Sequence, residues 1–236
     1  MYVKVLYDNR AKRGFVPGHG FACLLDGAVL FDTGEASQSL LDNMKKMMVS
    51  PGEIKAVVLS HEHWDHTGGL WEVIKRCPGI KVYACPSFSE TFKKCVVESG
   101  GELVLAGGPM DIAPGIMTTG EIGAVYKDQY IAEQALIVKG DKGFSVITGC
   151  AHPGLLPMLK RIKETLGVPE FYMVFGGFHL TGMGMEEITG VISDMKSIGV
   201  YKVGPMHCTG DKAIRMFGGQ YHGNFVPVKA GHIIHL

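Results

Sequence analysis

An α/β fold is what the sequence predicts, and three observations predict it. Short apolar runs of strand length alternate with apolar stripes at helical spacing from one end of the 236 residues to the other. No repeat, low-complexity tract or linker interrupts the alternation, so one domain over residues 1–236 is expected. Histidines recur where the apolar runs stop, close to the glycines that let backbone approach a ligand, and strand ends are where α/β proteins place their sites.

Taken in order, Tyr2 to Tyr7 alternates as a strand, and Phe21 to Leu25 and Ala28 to Phe31 flank Asp26-Gly27, a dipeptide favoured in tight hairpin turns. Leu40, Leu41, Met44, Met47 and Met48 recur at helical spacing, which predicts a helix whose methionines are core. Ile54, Ala56, Val57, Val58 and Leu59 form the near-continuous apolar run of a strand buried on both faces, and Ser60 ends it. Beyond a polar stretch, Thr67, Gly68 and Gly69 open a helix marked by Leu70, Val73, Ile74 and Cys77. Strand Ile80 to Ala84, helix Phe88 to Glu98 and strand Glu102 to Leu105 follow. Residues Gly107 to Glu133 hold Pro109, Pro114 and several glycines, with Tyr126 and Tyr130 among polar neighbours, and read as a long substrate-facing loop.

A second hairpin joins Ala135 to Lys139 and Phe144 to Thr148 across Gly140 and Asp141. The last third repeats one scheme, an apolar strand ending at a histidine and a helix after it. The hairpin runs out at His152 and a helix carries Leu155, Leu156, Leu159, Ile162 and Leu166. Strand Phe171 to Phe175 leads to His179, and a helix carries Met185, Ile188, Val191, Ile192, Met195 and Ile198. Tyr201 to Val203 and Met206 lead to His207, and a final strand pattern spans His232 to Leu236.

The stretch His61, Glu62, His63, Trp64, Asp65, His66 packs imidazoles and carboxylates into one turn between a strand and a helix. Neutral imidazole and carboxylate are the usual protein ligands of zinc, iron and manganese, and crowding such groups serves no packing purpose. In extended backbone, residues two apart point the same way, so His61 and His63 can grip one ion while Asp65 and His66, past the bend, aim elsewhere, which makes two adjacent ions geometrically possible.

Composition excludes some functions. With 23 basic against 23 acidic residues the chain has no basic footprint for DNA, RNA or an anionic membrane, and 46% hydrophobic content suffices for a substantial core. The amino-terminal MYVKVLYDNRAKRG lacks a signal peptide's apolar core and no apolar run reaches membrane-span length, so a cytoplasmic protein acting on a small molecule is expected, with homo-oligomers left open. The cysteines, Cys23, Cys77, Cys85, Cys95, Cys150 and Cys208, show no CxxC pair, which argues for reduced thiols and against an iron–sulfur cluster.

Phe31, Asp32, Thr33, Gly34 followed by HEHWDHTGG resembles the metallo-β-lactamase-fold superfamily over nearly the whole chain. GCAHPG, GGFHL and PMHCTG together are similar to one of its subgroups, the 7,8-dihydropterin-6-methyl-4-(β-D-ribofuranosyl)aminobenzene-5'-phosphate synthase-like metal-dependent hydrolases. The resemblance implies a four-layer αββα sandwich of two mixed sheets flanked by helices. It implies one or two divalent ions, zinc first and iron or manganese as alternatives. His61, His63 and His152 would hold one ion and Asp65, His66 and His207 the other, with Asp32 supporting them from behind.

One departure stands out. Where the superfamily has a bridging aspartate this chain has Cys150 and His152, and where a further histidine is common it has Glu133 and Gln134. Either His152 supplies the missing ligand, in preference to Cys150, or only one ion is held firmly. Glu62 and Trp64 fill variable slots of the motif. The slot where oxygen-reducing diiron relatives carry glutamate is His63 here, which turns the implication toward hydrolysis.

The implied function is a metal-dependent hydrolase of a small phosphorylated or ester-type substrate, using a metal-activated water with Asp65 as ligand and proton acceptor. His179 is open between two readings: it resembles a histidine that touches substrate or donates a proton in phosphodiesterase members, and it also reads as a core imidazole bonded to backbone. The alternatives are a dihydropterin/aminobenzene riboside phosphate synthase and a noncatalytic ligand or metal sensor on the same fold. His19, His222, His232 and His235 have no comparable setting and read as structural or exposed.

Overall fold

In the computed structural model, which describes residues 1–126 and 128–236, the first half of the chain builds most of one mixed sheet. Its strands are β1 (Tyr2–Tyr7), β2 (Ala22–Leu25), β3 (Val29–Phe31), β4 (Ala56–Val58), β5 (Lys81–Ala84) and β6 (Glu102–Leu105). Next come β7 (Met110–Ala113), β8 (Ile116–Thr118), and a separate hairpin of β9 (Ile122–Tyr126) and β10 (Gln129–Glu133). Then follow β11 (Leu136–Gly140), β12 (Gly143–Thr148), β13 (Phe171–Gly177), β14 (Val200–Met206) and β15 (Ile233–His235). The first sheet runs in the order β15-β1-β2-β3-β4-β5-β6 and the second β14-β13-β12-β11-β8-β7.

The helices are α1 (Ser37–Lys46), α2 (Trp64–Thr67), α3 (Leu70–Arg76), α4 (Glu90–Glu98), α5 (Leu155–Leu166), α6 (Met185–Ser197) and α7 (Asp211–Tyr221). Strand alternation sorts the apolar side chains into three layers of core. Leu24, Leu30 and Val57 point from the first sheet onto Leu40 and Met44 of α1, Val73 and Ile74 of α3 and Val96 of α4. Their neighbours Cys23, Val29, Phe31, Ala56 and Val58 point the other way and meet Leu136, Val138, Ile147, Met173 and Phe175 of the second sheet. Ile137, Val146, Val174 and Val203 then cover α5, α6 and α7 through Met158, Leu159, Ile192 and Phe217. Helix, sheet, sheet, helix is the four-layer sandwich that the sequence implies.

Several local expectations need correction. Residues 107–133 are not one loop: β7 and β8 join the second sheet, turning at Gly115, and β9 pairs with β10, while Lys127 lies outside the described residues. These strands are three to five residues long, too short to show alternation. Helix α1 stops at Lys46, and Met48, with φ 54° and 89% exposure, is not core. Helix α7 was not foreseen, because Gly218 and Gly219 hide the stripe of Ala213, Phe217 and Tyr221. The first hairpin is as read, with Asp26 at φ 43° and Gly27 at φ 73° between Leu25 and Val29.

Each sheet contains a parallel block, β3-β4-β5-β6 in one and β12-β13-β14 in the other. The carboxyl ends of both blocks lie on one rim. There Asp32, Ala151, His179 and His207 take left-handed backbone with φ between 48° and 60°, so the chain reverses sharply as it leaves each strand. Among the described residues no helix is long and apolar enough to cross a membrane.

Phe171, buried at the start of β13 away from that rim, anchors the layer under α5 and α6. Phe171→Ala is expected to lower unfolding free energy by about 3–5 kcal/mol through the lost burial and the cavity left behind. Urea denaturation followed by circular dichroism measures it; a loss under about 1 kcal/mol contradicts the assigned core.

Candidate metal centre

Strand β4 delivers Ser60 and His61 to the rim, and the turn into α2 delivers His63, Asp65 and His66. The opposite sheet delivers Cys150 and His152 after β12, His179 after β13 and His207 after β14. Close approach of the two sheets needs Gly149, where a Cβ would stand 2.0 Å from Ser60 Oγ. The β1–β2 connection approaches as closely, since a Cβ at Gly20 would stand 1.9 Å from the Asp65 carbonyl oxygen.

Ring orientations follow from what holds each Nδ1. Asp32, fully buried, accepts from Ser60 N at 2.7 Å through Oδ1, and from Ser60 Oγ and His66 Nδ1 at 2.7 Å each through Oδ2. His61 Nδ1 donates to Ser60 Oγ at 2.8 Å, and His207 Nδ1 donates to Asn9 Oδ1 at 2.9 Å. With their Nδ1 protons so engaged, His61, His66 and His207 turn Nε2 toward the cleft.

The cleft-facing nitrogens form two groups. His61 Nε2 stands 3.0 Å from His63 Nδ1 and 3.3 Å from His152 Nε2. His66 Nε2 stands 3.2 Å from His207 Nε2, while Asp65 Oδ2 lies 3.6 Å from the former and 3.4 Å from the latter. Cys150 Sγ, 3.3 Å from His66 Nε2, lies near both groups. Donor atoms about 2.0–2.2 Å from one tetrahedral ion stand roughly 3.3–3.6 Å from each other, so these spacings are those of ligand sets. Imidazole nitrogens facing one another at such distances either share a proton in an N–H···N hydrogen bond or stand around a cation, and the spacing suits both. The donor set therefore fits divalent metal.

Electrostatics separates the two groups. Burial pushes His61 well below its ordinary value, with His66, His152 and His63 adding to the shift, and burial, His179 and His63 bring His152 down to about 3. These are neutral imidazoles with lone pairs available. At His66 burial acts downward, but Asp32 on one side and Asp65 on the other overcome it and raise the group to about 9, so a cation at Nε2 is stabilised by charge from both sides. Asp65 is lifted by burial and lowered more by its bond to His207 and by the charges of His66, His207 and His19, and remains a carboxylate throughout the neutral range. Burial also holds the Cys150 thiol well above its ordinary value.

All the residues singled out in the sequence as ligands thus meet on this rim. His179 joins them, its ring centroid 4.4 Å from that of His152. The loop after β12 turns both His152 and Cys150 into the cleft. His19 is exposed, as expected, but it has a setting the sequence did not show: its Nε2 lies 3.3 Å from Asp65 Oδ2 and its ring stacks on Trp64 at 5.6 Å. Glu62 faces away and accepts from Ser89 N at 2.5 Å, at the amino end of α4.

The supporting roles of four residues escaped the sequence reading, which noted Glu133 and Gln134 only as standing where a histidine is common. Asn9 orients His207 and binds Gly20 N at 3.2 Å, and Asp8 accepts from His207 N at 3.1 Å. Glu133, fully buried, accepts from the backbone N–H groups of Cys150, Ala151 and His152 at 2.9, 2.7 and 2.8 Å. Gln134 Nε2 donates to the carbonyls of Leu59 and Tyr83 at 2.8 and 3.2 Å, tying the second sheet to the ends of β4 and β5. The one available signal was a polar pair, Glu133-Gln134, just ahead of a buried strand.

The cleft over these groups measures about 380 Å³, the size of a small-molecule site, with walls that include His19, Trp64, Gln129 and His179. A model of the metallo-beta-lactamase superfamily matches residues 17–154. The 7,8-dihydropterin-6-methyl-4-(beta-D-ribofuranosyl)-aminobenzene-5'-phosphate synthase of Methanocaldococcus jannaschii is 33% identical, over 87% of this chain and 83% of that one. The crystal structure of Tm1679, a metal-dependent hydrolase of the beta-lactamase superfamily, superposes with a TM-score of 0.83 at 28% identity, covering 100% of this chain and 99% of that one. The metallo-beta-lactamase fold protein YhfI from Bacillus subtilis shares the fold, with a TM-score of 0.71 at 15% identity over 99% of each chain.

Asp32→Asn leaves the shape of the site and removes the anionic partner of His66. It is expected to weaken binding of a divalent ion by about 10–100-fold, measured by competition with a chromophoric chelator; unchanged affinity contradicts the role given to Asp32.

Proposed function

The chain belongs to the metallo-beta-lactamase superfamily, and on that premise we propose that it is a metal-dependent hydrolase of a small phosphorylated or ester-type substrate. The observation that carries the reading is the donor geometry: imidazole nitrogens 3.0–3.3 Å apart with the Asp65 carboxylate beside them, at the floor of an open cleft. In this reading His61, His63 and His152 hold one ion and Asp65, His66 and His207 the other, and zinc is the ion that a histidine-rich set with one carboxylate suits best. Divalent ions held there supply Lewis acidity and positive charge toward a phosphoryl or carbonyl oxygen.

The chain's own residues do the rest. Asp65, a carboxylate held by His207, fixes the second donor group in place. His179, on the wall beside His152, is placed to contact the substrate and to pass a proton to a leaving oxygen. Trp64, 61% exposed and stacked on His19, gives the cleft an aromatic lip against which a planar group can lie.

A second reading rests on the 33% identity to the synthase: a synthase that joins a pterin methyl group to an aminobenzene riboside phosphate, the same centre orienting the phosphate. One set of assays separates the two. Zinc-loaded protein is offered a generic phosphodiester and a lactone, then the dihydropterin pyrophosphate with the aminobenzene riboside phosphate, and products are followed by mass spectrometry. The hydrolase reading expects cleavage that His61→Ala and Asp65→Ala each reduce by about 10³-fold or more, as loss of an electrostatic catalyst does. Cleavage surviving both variants sinks it, and a condensed pterin product without cleavage establishes the synthase.

A further inference from the structure

Among the described residues, Cys150 is the side chain common to every ligand-sized group of the centre. Its Sγ forms a ligand-sized group with His61 and His152 on one side and with His66 and His207 on the other, the donor atoms of each group lying within 4.8 Å of one another. It is the common member of both. The contact to His66 Nε2 is 3.3 Å, and the residue is 3% exposed.

The surroundings are not those of an inert structural thiol. An apolar cysteine packs among aliphatic side chains, whereas the Cys150 sulfur faces imidazoles and lies beside a second thiol, Cys208, whose Sγ donates to the Cys150 carbonyl at 3.6 Å. Its position is also fixed with unusual thoroughness. Glu133 binds the N–H groups of Cys150, Ala151 and His152 in succession, Ala151 takes φ 60°, and Gly149 next to it lies where any side chain would strike Ser60. These constraints fix the backbone that carries the sulfur to its place between the two histidine groups, where it also lies within ligand distance of His179 and Cys208.

We propose that the Cys150 thiolate is a ligand shared by the two ion positions, so that the centre selects zinc, ferrous or cobaltous ions over magnesium and manganese. The proposal rests on the reading of the site as a metal centre. Its physical basis is ligand softness: thiolate and imidazole favour zinc and the later transition ions, whereas carboxylate and water favour the hard ions. On binding, the ion replaces the proton of the Cys150 thiol, which leaves to solvent, and the sulfur stays reduced throughout.

The test is optical. Metal-free protein, prepared by chelation and checked for native circular dichroism, is titrated with cobaltous ion. The wild type is expected to develop intense near-ultraviolet thiolate-to-cobalt absorption together with visible bands. Cys150→Ser is expected to keep cobalt binding and lose the near-ultraviolet band, whereas Cys208→Ser keeps it. Cys150→Asp is expected to hold ions without the band and to shift the zinc-over-manganese preference toward manganese by about tenfold or more. Cobalt binding by the wild type without a charge-transfer band, or a band that survives Cys150→Ser, overturns the shared thiolate and leaves the metal centre standing. Failure of the wild type to bind cobalt at all overturns both.

Discussion

The buried carboxylate of Asp32 is the interaction on which the rest of the site depends. Removing a carboxylate from water is costly unless its oxygens are fully engaged, and here they receive Ser60 N, Ser60 Oγ and His66 Nδ1, all at 2.7 Å. The same bonds fix the end of β4 against the end of β3, turn Ser60 Oγ into the acceptor for His61, and raise the affinity of His66 Nε2 for positive charge. One side chain thus positions a ligand from each of the two groups. A fold that buries such a carboxylate without that network would be destabilised by it.

Opposite Asp32, Glu133 and Gln134 play the matching part in the second sheet. Glu133 collects the backbone of the Cys150–His152 loop, and Gln134 reaches across to Leu59 and Tyr83 in the first sheet. The candidate centre consequently lies between the two sheets, each with its own buried polar anchor. Such an arrangement holds donor atoms at ligand spacing before any ion arrives, which lowers the reorganisation required on binding and on reaction.

Much of this was legible in the chain because its strongest signals are local. A strand buried on both faces shows as the apolar run ending at Ser60, and the turn that carries the candidate ligands shows as histidines and aspartate at spacing two and one behind it. The glycine-flanked histidines at 152, 179 and 207 marked the other strand ends. What escaped depends on tertiary contact. His19 and Asn9 sit in an ordinary polar connection until the β1–β2 segment folds over Asp65 and His207. Glu133 has no pattern of its own, since its partners are backbone N–H groups seventeen to nineteen residues away. Strands β7 to β10 were too short to show alternation, and the glycines of α7 masked its buried stripe.

The central claim is that these side chains are a metal centre formed by both sheets together. Anomalous diffraction at the zinc edge from crystals of the protein purified without chelator tests it most directly. The account predicts anomalous density within about 2.0–2.3 Å of the donor atoms of His61, His63 and His152, and of Asp65, His66 and His207, with Cys150 Sγ between. Crystals grown with zinc in excess that show the same side chains in place and no density among them would contradict it.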